Sequence, residues 1–233
     1  MILQGITLAV SVLLVGSNMN TSVFTETNSY ELFTEIKSML SKKGEKINNL
    51  HQDKLTLSRA NVLSENQAKK VISKTSREAI TAIKNKDMKR FKTLVHPDKG
   101  VRFSPYTYVD FKEDIVFSAN QLEKLPRLKK VYNWGAWDGS GDPIKLTFNE
   151  YYRTFIYDRD YANAEKVSYN KVLMKGNTIN NIREVYPNSI IVEYYFSGSS
   201  QYEGMDWSSL RLVYEKKDSQ WYLVGVVHDQ WTI

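Results

Sequence analysis

The C-terminal part of the chain carries the pattern that most restricts its fold. Three runs typical of β-strands follow one another there: Ile190–Phe196, Leu210–Lys216 and Trp221–Trp231. In the first two runs the even positions are mostly apolar, whereas the odd positions include Glu193 and Arg211. Such alternation predicts an antiparallel meander with one buried face. The third run is apolar at both even and odd positions, so we expect another element to cover its outer side.

Helix signals dominate the region before these strands. Ser64 and Gln67 have the spacing of a capping box, and the segment after them has apolar residues at helical spacing. Asp87 is placed to cap a further helix, which ends before Pro97 because proline disfavours helical backbone in the preceding residue. Asp98, Lys99 and Gly100 then predict a turn, and residues 101–109 have the composition of a strand with a proline-induced bend. Helices followed by an antiparallel meander predict an α+β fold.

The N-terminal segment indicates export. Residues 6–15 form an apolar run, and the small residues Gly16 and Ser17 follow it, which suits a signal peptide over residues 1–17. The run is shorter than the ~18 residues that span a membrane. No Lys or Arg precedes Lys37, so an N-terminal core helix remains the alternative. The chain has no Cys that could accept a lipid, and we expect a secreted or cell-envelope protein.

Two regions are expected after the signal peptide. Residues 28–44 have the pattern of a short amphipathic helix, and residues 45–62 are polar and weakly patterned, as in a linker. We therefore assign residues 18–63 to an N-terminal helical segment with its linker. Residues 64–233 are expected to form the main domain.

Positive charge is concentrated in the first half of the chain. Residues 37–130 contain 22 basic and 10 acidic residues, a net charge of +12, whereas residues 131–233 contain 10 basic and 13 acidic residues, a net charge of −3. A basic surface attracts polyanions, and for an exported protein these are an anionic wall or membrane surface rather than nucleic acid. The alternative is that the charges only solvate helices. The predicted basic patch consists of Lys69, Lys70, Lys74 and Arg77.

Two segments and the order of elements carry a resemblance to a known superfamily. The segments are VHPDKGVRFSPY at 95–106 and HDQWTI at 228–233. Over residues 64–233 the chain resembles the nuclear transport factor 2-like superfamily, which includes ketosteroid isomerase-like and polyketide cyclase-like proteins, and the segments are similar to those of exported bacterial proteins of unassigned function. The resemblance implies N-terminal helices packed on a curved antiparallel sheet, forming a cone with a pocket at its wide end. It does not fix a reaction, because superfamily members include isomerases, dehydratases, transport factors and binding domains.

Two histidines and one carboxylate are the candidate catalytic residues. His96 and His228 each have an acidic neighbour, and a histidine with a carboxylate can serve as a general base, as in the isomerases and dehydratases of the superfamily. Asp229 cannot orient His228 directly, since adjacent strand residues point to opposite faces, and a structural role for both histidines is the alternative. Isomerase-like members also place a carboxylate inside the cone, and Asp110 is the candidate for that position.

Aromatic residues in Gly- and Ser-rich segments are candidates for a ligand-binding rim, because aromatic faces bind sugars and bases. Core packing is the alternative for most of the 15 Tyr and 5 Trp residues. The predicted rim consists of Trp134, Trp137, Tyr202 and Trp207. The segment Asp138–Asp142 is spaced like the start of a calcium loop but lacks the later Gly and Glu, so no metal is expected. No motif for a nucleotide or other cofactor occurs, and none is expected.

These observations predict an exported bacterial binding or accessory protein with a small pocket and no enzymatic activity. The alternative is a small-molecule lyase or isomerase that uses a pocket histidine. A buried carboxylate–histidine pair facing one cavity would favour the alternative. The expected partner is a small molecule or an envelope component, and two copies of the chain can also pair through the sheet.

Overall fold

The C-terminal meander forms the centre of a six-stranded, mostly antiparallel sheet. In the computed structural model of the protein, residues 37–44 and 62–232 are described. The strands of the sheet are β1 Val101–Ser104, β2 Ile115–Phe117, β5 Lys166–Tyr169, β6 Ile190–Phe196, β7 Ser208–Lys217 and β8 Gln220–Gln230. Their order in the sheet is β2-β1-β8-β7-β6-β5, in which β1 runs parallel to β8 and every other neighbouring pair is antiparallel. A separate hairpin pairs β3 Val131–Ala136 with β4 Pro143–Thr147.

The predicted helices and their caps are confirmed in the main domain. Helix α1 begins after Ser64, whose side chain and that of Gln67 form the predicted capping box. The side chain of Asp87 accepts a hydrogen bond from the Arg90 backbone N–H and caps α2. The helices are α1 Glu65–Lys84, α2 Met88–Leu94, α3 Ala119–Leu122, α4 Phe148–Tyr151 and α5 Ile182–Val185. The fold is therefore α+β, as predicted.

Helix α1 packs on one face of the sheet, which we call the inner face. Its buried Ser76 hydroxyl lies 2.8 Å from the Tyr194 hydroxyl of β6 and accepts a hydrogen bond from the Tyr214 hydroxyl of β7 at 3.2 Å. Aromatic rings from the hairpin and α4 extend this core. Trp134 stacks on Tyr151, with ring centroids 3.8 Å apart and the rings 11° from parallel.

The opposite, outer face of the sheet is covered as well. Val213 and Val227 belong to a second apolar cluster that includes Ile182 and Tyr186 from α5 and the residue that follows it. Segment 105–114 contributes Val109 to the same cluster. The expectation that another element covers the outer side of the last strand is confirmed, but the prediction of a single buried face is wrong.

A turn with a positive backbone angle leads from α2 into β1. Gly100 has φ = +68°, and a Cβ atom there would lie 2.5 Å from the Phe117 carbonyl oxygen. Only glycine meets both conditions without displacing the backbone. The predicted turn before β1 is therefore confirmed. Strand β1 ends at Ser104, and Pro105 lies just outside it.

The N-terminal predictions lie mostly outside the described residues. The signal peptide at 1–17 and the linker up to residue 61 are not described, and residues 37–44 of the predicted first helix are helical. These helical residues belong to a unit, Met1–Leu55, separate from the one that contains residues 62–232. Among the helices of the described part of the chain, none is long and apolar enough to cross a membrane.

Candidate functional site

His228 forms part of a buried polar group on the inner face of the sheet. It is fully buried on β8, and its Nε2 atom lies 3.3 Å from Asp158 Oδ1, close enough for an ion pair but poorly aligned for a hydrogen bond. The Tyr161 hydroxyl donates to the same carboxylate oxygen at 2.9 Å. Burial acts to raise the pKa of Asp158, but the interaction with His228 and the Tyr161 hydrogen bond together lower it. Asp158 is thus the carboxylate partner of His228, which the sequence analysis did not identify.

The surroundings of His228 do not suit a general base. Its Nδ1 atom lies 3.3 Å from the Pro105 carbonyl oxygen, which can only accept a hydrogen bond. The other ring nitrogen faces Asp158, and the ring edge contacts Phe155 at a centroid distance of 5.6 Å. Since both nitrogens face protein oxygens, neither is directed towards a substrate. The geometry favours a structural His228.

His96 has a structural role at the turn before β1. Its Nδ1 atom accepts hydrogen bonds from the backbone N–H groups of Asp98 and Lys99, at 3.2 Å and 3.1 Å. Burial and then the nearby Lys99 charge lower the pKa of His96, which favours the neutral ring that such acceptance requires. His96 and His228 are not brought together.

The buried carboxyl group near β1 belongs to Asp114 rather than to the predicted Asp110. Asp114 is 9% exposed, and its Oδ2 atom accepts hydrogen bonds from the Ser104 hydroxyl and, at 3.0 Å, from the Asp110 backbone N–H. Burial raises its pKa to about 7, although these hydrogen bonds and Arg102 oppose the shift. The Asp110 side chain instead accepts from the Lys112 backbone N–H, as in a turn.

Three charged residues are buried together on the outer face, and we call them the charge cluster: Glu193, Arg211 and Asp229. Each is 1% exposed. Arg211 donates to Glu193 Oε1 at 2.7 Å and to Asp229 Oδ2 at 2.8 Å. The loop after β5 covers them, since Arg211 also donates to the Met174 carbonyl and Glu193 accepts from the Leu173 backbone N–H. The alternation of apolar and polar residues in β6 and β7 predicted that Glu193 and Arg211 face solvent, and that prediction is wrong.

Asp229 and His228 point to opposite faces, as the strand geometry predicts. Asp229 pairs with Arg211 on the outer face, whereas His228 lies beside Asp158 on the inner face. Burial raises the pKa of Asp229, although Arg211 opposes that shift. The cluster holds two carboxyl groups for one guanidinium. Within residues 37–44 and 62–232, no group of three or more metal-ligating side chains could hold a metal ion.

The predicted aromatic rim is not assembled as one surface. Trp134 lies in β3, not in a loop, and is fully buried against Tyr151, so its placement in the rim is wrong. Trp207 is 3% exposed and contacts the covering loop near Gly176. Trp137 is half-buried against Phe155, and Tyr202 is 54% exposed. Only Trp137 and Tyr202 retain access to solvent.

The predicted basic patch lies on the exposed side of α1. Lys69, Lys70, Lys74 and Arg77 are all exposed. Lys74 and Arg77 also line a hollow of about 530 Å³ between α1 and α2, which we call the interhelical hollow. Arg90 lines it too and forms an ion pair with Glu78 at 2.6 Å. Among the described residues, no carboxylate lies within ion-pair distance of Lys74 or Arg77. Asp87 also lines the hollow, so its three cations and two carboxylates leave a net charge of +1.

Comparison with known proteins does not assign the chain to a family. No protein-family model matches the sequence, and no curated protein matches it either.

Proposed function

We propose that this chain is an exported, non-enzymatic binding protein of the bacterial cell envelope that holds an anionic wall polymer against its basic helices. The observation that carries the proposal is the interhelical hollow, where Lys74 and Arg77 face solvent without a carboxylate partner in the described part of the chain. Lys69 and Lys70 extend the same charge along α1. A repeated anion can bind such a row of cations at several points.

Close packing on the inner face of the sheet favours a binding site on the protein surface rather than in the interior. A ligand pocket in the sheet would need open space between its aromatic residues. Trp134 and Tyr151 instead stack at 3.8 Å, and Phe103 packs edge-on against Trp134 at 6.3 Å. Neither His228 nor Asp158 lines the interhelical hollow.

Retention on isolated bacterial walls tests the proposal. The full chain should bind at 50 mM salt and elute by 500 mM salt, because the Debye length falls from well above 10 Å to a few ångströms over this range. Replacing the four patch residues by Gln should lower retention at low salt about tenfold or more, with little change in melting temperature. The patch variant carries Lys69→Gln, Lys70→Gln, Lys74→Gln and Arg77→Gln.

A charge-matched variant is the control. It removes three lysines and one arginine from another exposed region: Lys124→Gln, Arg127→Gln, Lys129→Gln and Lys130→Gln. Both variants change the net charge by the same amount. A difference in their retention would therefore show that binding depends on the position of the charges in the patch. Equal retention of the two variants would show that the patch residues merely solvate helices. Binding to anionic lipid vesicles but not to walls would reassign the partner to the membrane surface.

Export is a separate part of the proposal and rests on the apolar run at residues 6–15. Cleavage after Ser17 in the native host would give a mature chain that begins at Asn18. N-terminal sequencing of the protein from that host decides the question. A population that starts at Met1 in the cytoplasm would refute export without affecting the binding experiment.

The second candidate function is a lyase or isomerase, which the buried His228–Asp158 pair favours. Such an enzyme needs one imidazole nitrogen that faces substrate. Nitrogen NMR of the His228 ring distinguishes the two functions without knowledge of a substrate. Our proposal predicts that both ring nitrogens are shielded from solvent, as the full burial of His228 implies, whereas a ring N–H that exchanges rapidly with water would favour the enzyme.

A further inference from the structure

A second hollow lies on the outer face of the sheet, on a surface that the basic helices do not share. We call it the outer-face hollow, and its volume is about 320 Å³, at the small end of the range for small-molecule sites. Its wall is mainly apolar. Its lining includes Arg102, Phe111, Val116, Val185, Tyr186 and Val224.

The apolar wall combines buried and exposed surface. Tyr186 and Val224 are 8% and 3% exposed, so they form a fixed base. Phe111 and Val116 are 65% and 40% exposed, so two large apolar side chains remain in water at the margin of the hollow. An apolar ligand body that covers them removes this surface from water and gains binding free energy.

Arg102 supplies a cation without a carboxylate partner. Its Nη1 atom donates to the carbonyl oxygens of Asp114 and Asp110, at 3.1 Å and 3.4 Å, and neither oxygen carries a full negative charge. Among the described residues, no carboxylate oxygen lies within 4 Å of its guanidinium nitrogens, and its Nε atom is buried without a hydrogen-bond acceptor. The Phe111 ring lies over one face of the guanidinium at 4.8 Å. Its Nη2 atom makes none of these hydrogen bonds and is the nitrogen that remains to bind an anion.

The other charges around the hollow cancel. Lys99 and Glu215 both line it and form an ion pair with each other. The backbone carbonyls of Asp110 and Asp114 accept from Arg102, but neither of these side chains lines the hollow. Among the lining residues, Arg102 is therefore the charge without a carboxylate partner.

We propose that the outer-face hollow binds a small organic monoanion with an apolar body, namely an aromatic or short aliphatic carboxylate. The carboxylate accepts a charge-assisted hydrogen bond from Nη2 of Arg102. The apolar body lies on Phe111, Val116 and Tyr186. A strongly hydrated anion such as inorganic phosphate has the charge but gains nothing from the apolar wall. This site is independent of the envelope contact proposed for the basic helices.

Amide NMR of the full chain during titration with benzoate tests this inference. Benzoate should shift the signals of residues 102, 111–116 and 185–186 and saturate with a Kd on the order of 1 mM, as expected for a ligand of this size. Benzamide, which has the ring without the charge, and inorganic phosphate, which has the charge without the ring, should each bind at least about tenfold more weakly.

Three variants locate the contact. Arg102→Gln should weaken benzoate binding about tenfold or more, and Lys112→Gln, an exposed lysine on the same turn that does not line the hollow, should leave it unchanged. Should Arg102→Gln unfold, Val116→Glu places a negative charge at an exposed margin position and should have the same effect. Absence of shifts at 20 mM benzoate would overturn the inference. Equal binding of phosphate, or shifts confined to α1 and α2, would overturn it too.

Discussion

The two faces of the sheet are both buried, but they are built from different residues. The inner face meets α1 and a set of aromatic rings, and its polar groups are few and mostly neutral. The outer face carries Arg211 with two carboxylates, next to a small cluster of valines. Apolar packing tolerates modest changes in shape, whereas a buried ion network requires every partner. The inner face therefore defines the fold, and the outer face is the more sensitive to a single substitution or to pH.

Of the substitutions considered for the two faces, loss of the Arg211 guanidinium should lower the unfolding free energy the most. Arg211→Met leaves Glu193 and Asp229 as buried carboxyl groups without their cation, and we expect unfolding free energy to fall by about 3–5 kcal/mol. Denaturant unfolding at neutral pH measures the change. Lys216→Met on the same strand is exposed and should alter stability by no more than about 0.5 kcal/mol. A similarly small effect of Arg211→Met would mean that the cluster is solvated.

Asp114 should make the protein less stable as pH rises through neutrality. The folded protein holds the Asp114 proton with a pKa of about 7, whereas the unfolded chain releases it near 4. Between these values the folded state binds more protons, so stability falls as pH rises, by about 2–4 kcal/mol in all. Asp114→Asn replaces the protonated acid by an amide, which does not ionise, so the variant should not lose stability in this way as pH rises.

Unfolding curves for Asp114→Asn and the parent at pH 4 and pH 7.5 measure the difference. The two proteins should be close in stability at pH 4, and the variant should be the more stable at pH 7.5. Asp142→Asn, at an exposed turn position, should behave as the parent does at both values. Parallel curves for the parent and Asp114→Asn would contradict the raised pKa.

The inner-face carboxylate should respond to pH in the opposite sense. Because the pKa of Asp158 is lowered in the folded state, its contribution is present above pH 4 and is lost as pH falls through the folded pKa. Asp158→Asn should cost about 1–3 kcal/mol at pH 7, since His228 and Tyr161 lose a charged partner. The deficit should shrink in acid. A deficit that is constant with pH would contradict the lowered pKa of Asp158.

Local patterns in the sequence were sufficient for much of the fold. The alternation in 190–196 and 210–216 predicted two neighbouring strands, because both the pattern and the pairing arise within a short stretch of chain. The capping box at Ser64 and the turn at Gly100 are also local, and both were predicted from the residues that form them.

The candidate sites depend on contacts that no local pattern shows. Arg211 is 18 residues from both Glu193 and Asp229 along the chain, and the loop after β5 covers all three. Trp134 has Gly-rich neighbours that indicate a loop, yet its burial depends on Tyr151, which comes from a later helix. An apolar strand with one charged residue, as in 221–231, was the available signal that Asp229 needed a buried partner.

The inner face of the sheet is a closed core, and we propose that binding takes place on other surfaces. Hydrogen exchange of the Trp134 indole N–H tests this most directly, since that group is fully buried and donates to the Leu146 carbonyl at 2.9 Å. Its exchange under native conditions should require the same free energy as global unfolding measured with denaturant. Exchange with a free energy well below the global value would show that the inner face opens to solvent, and it would contradict the account.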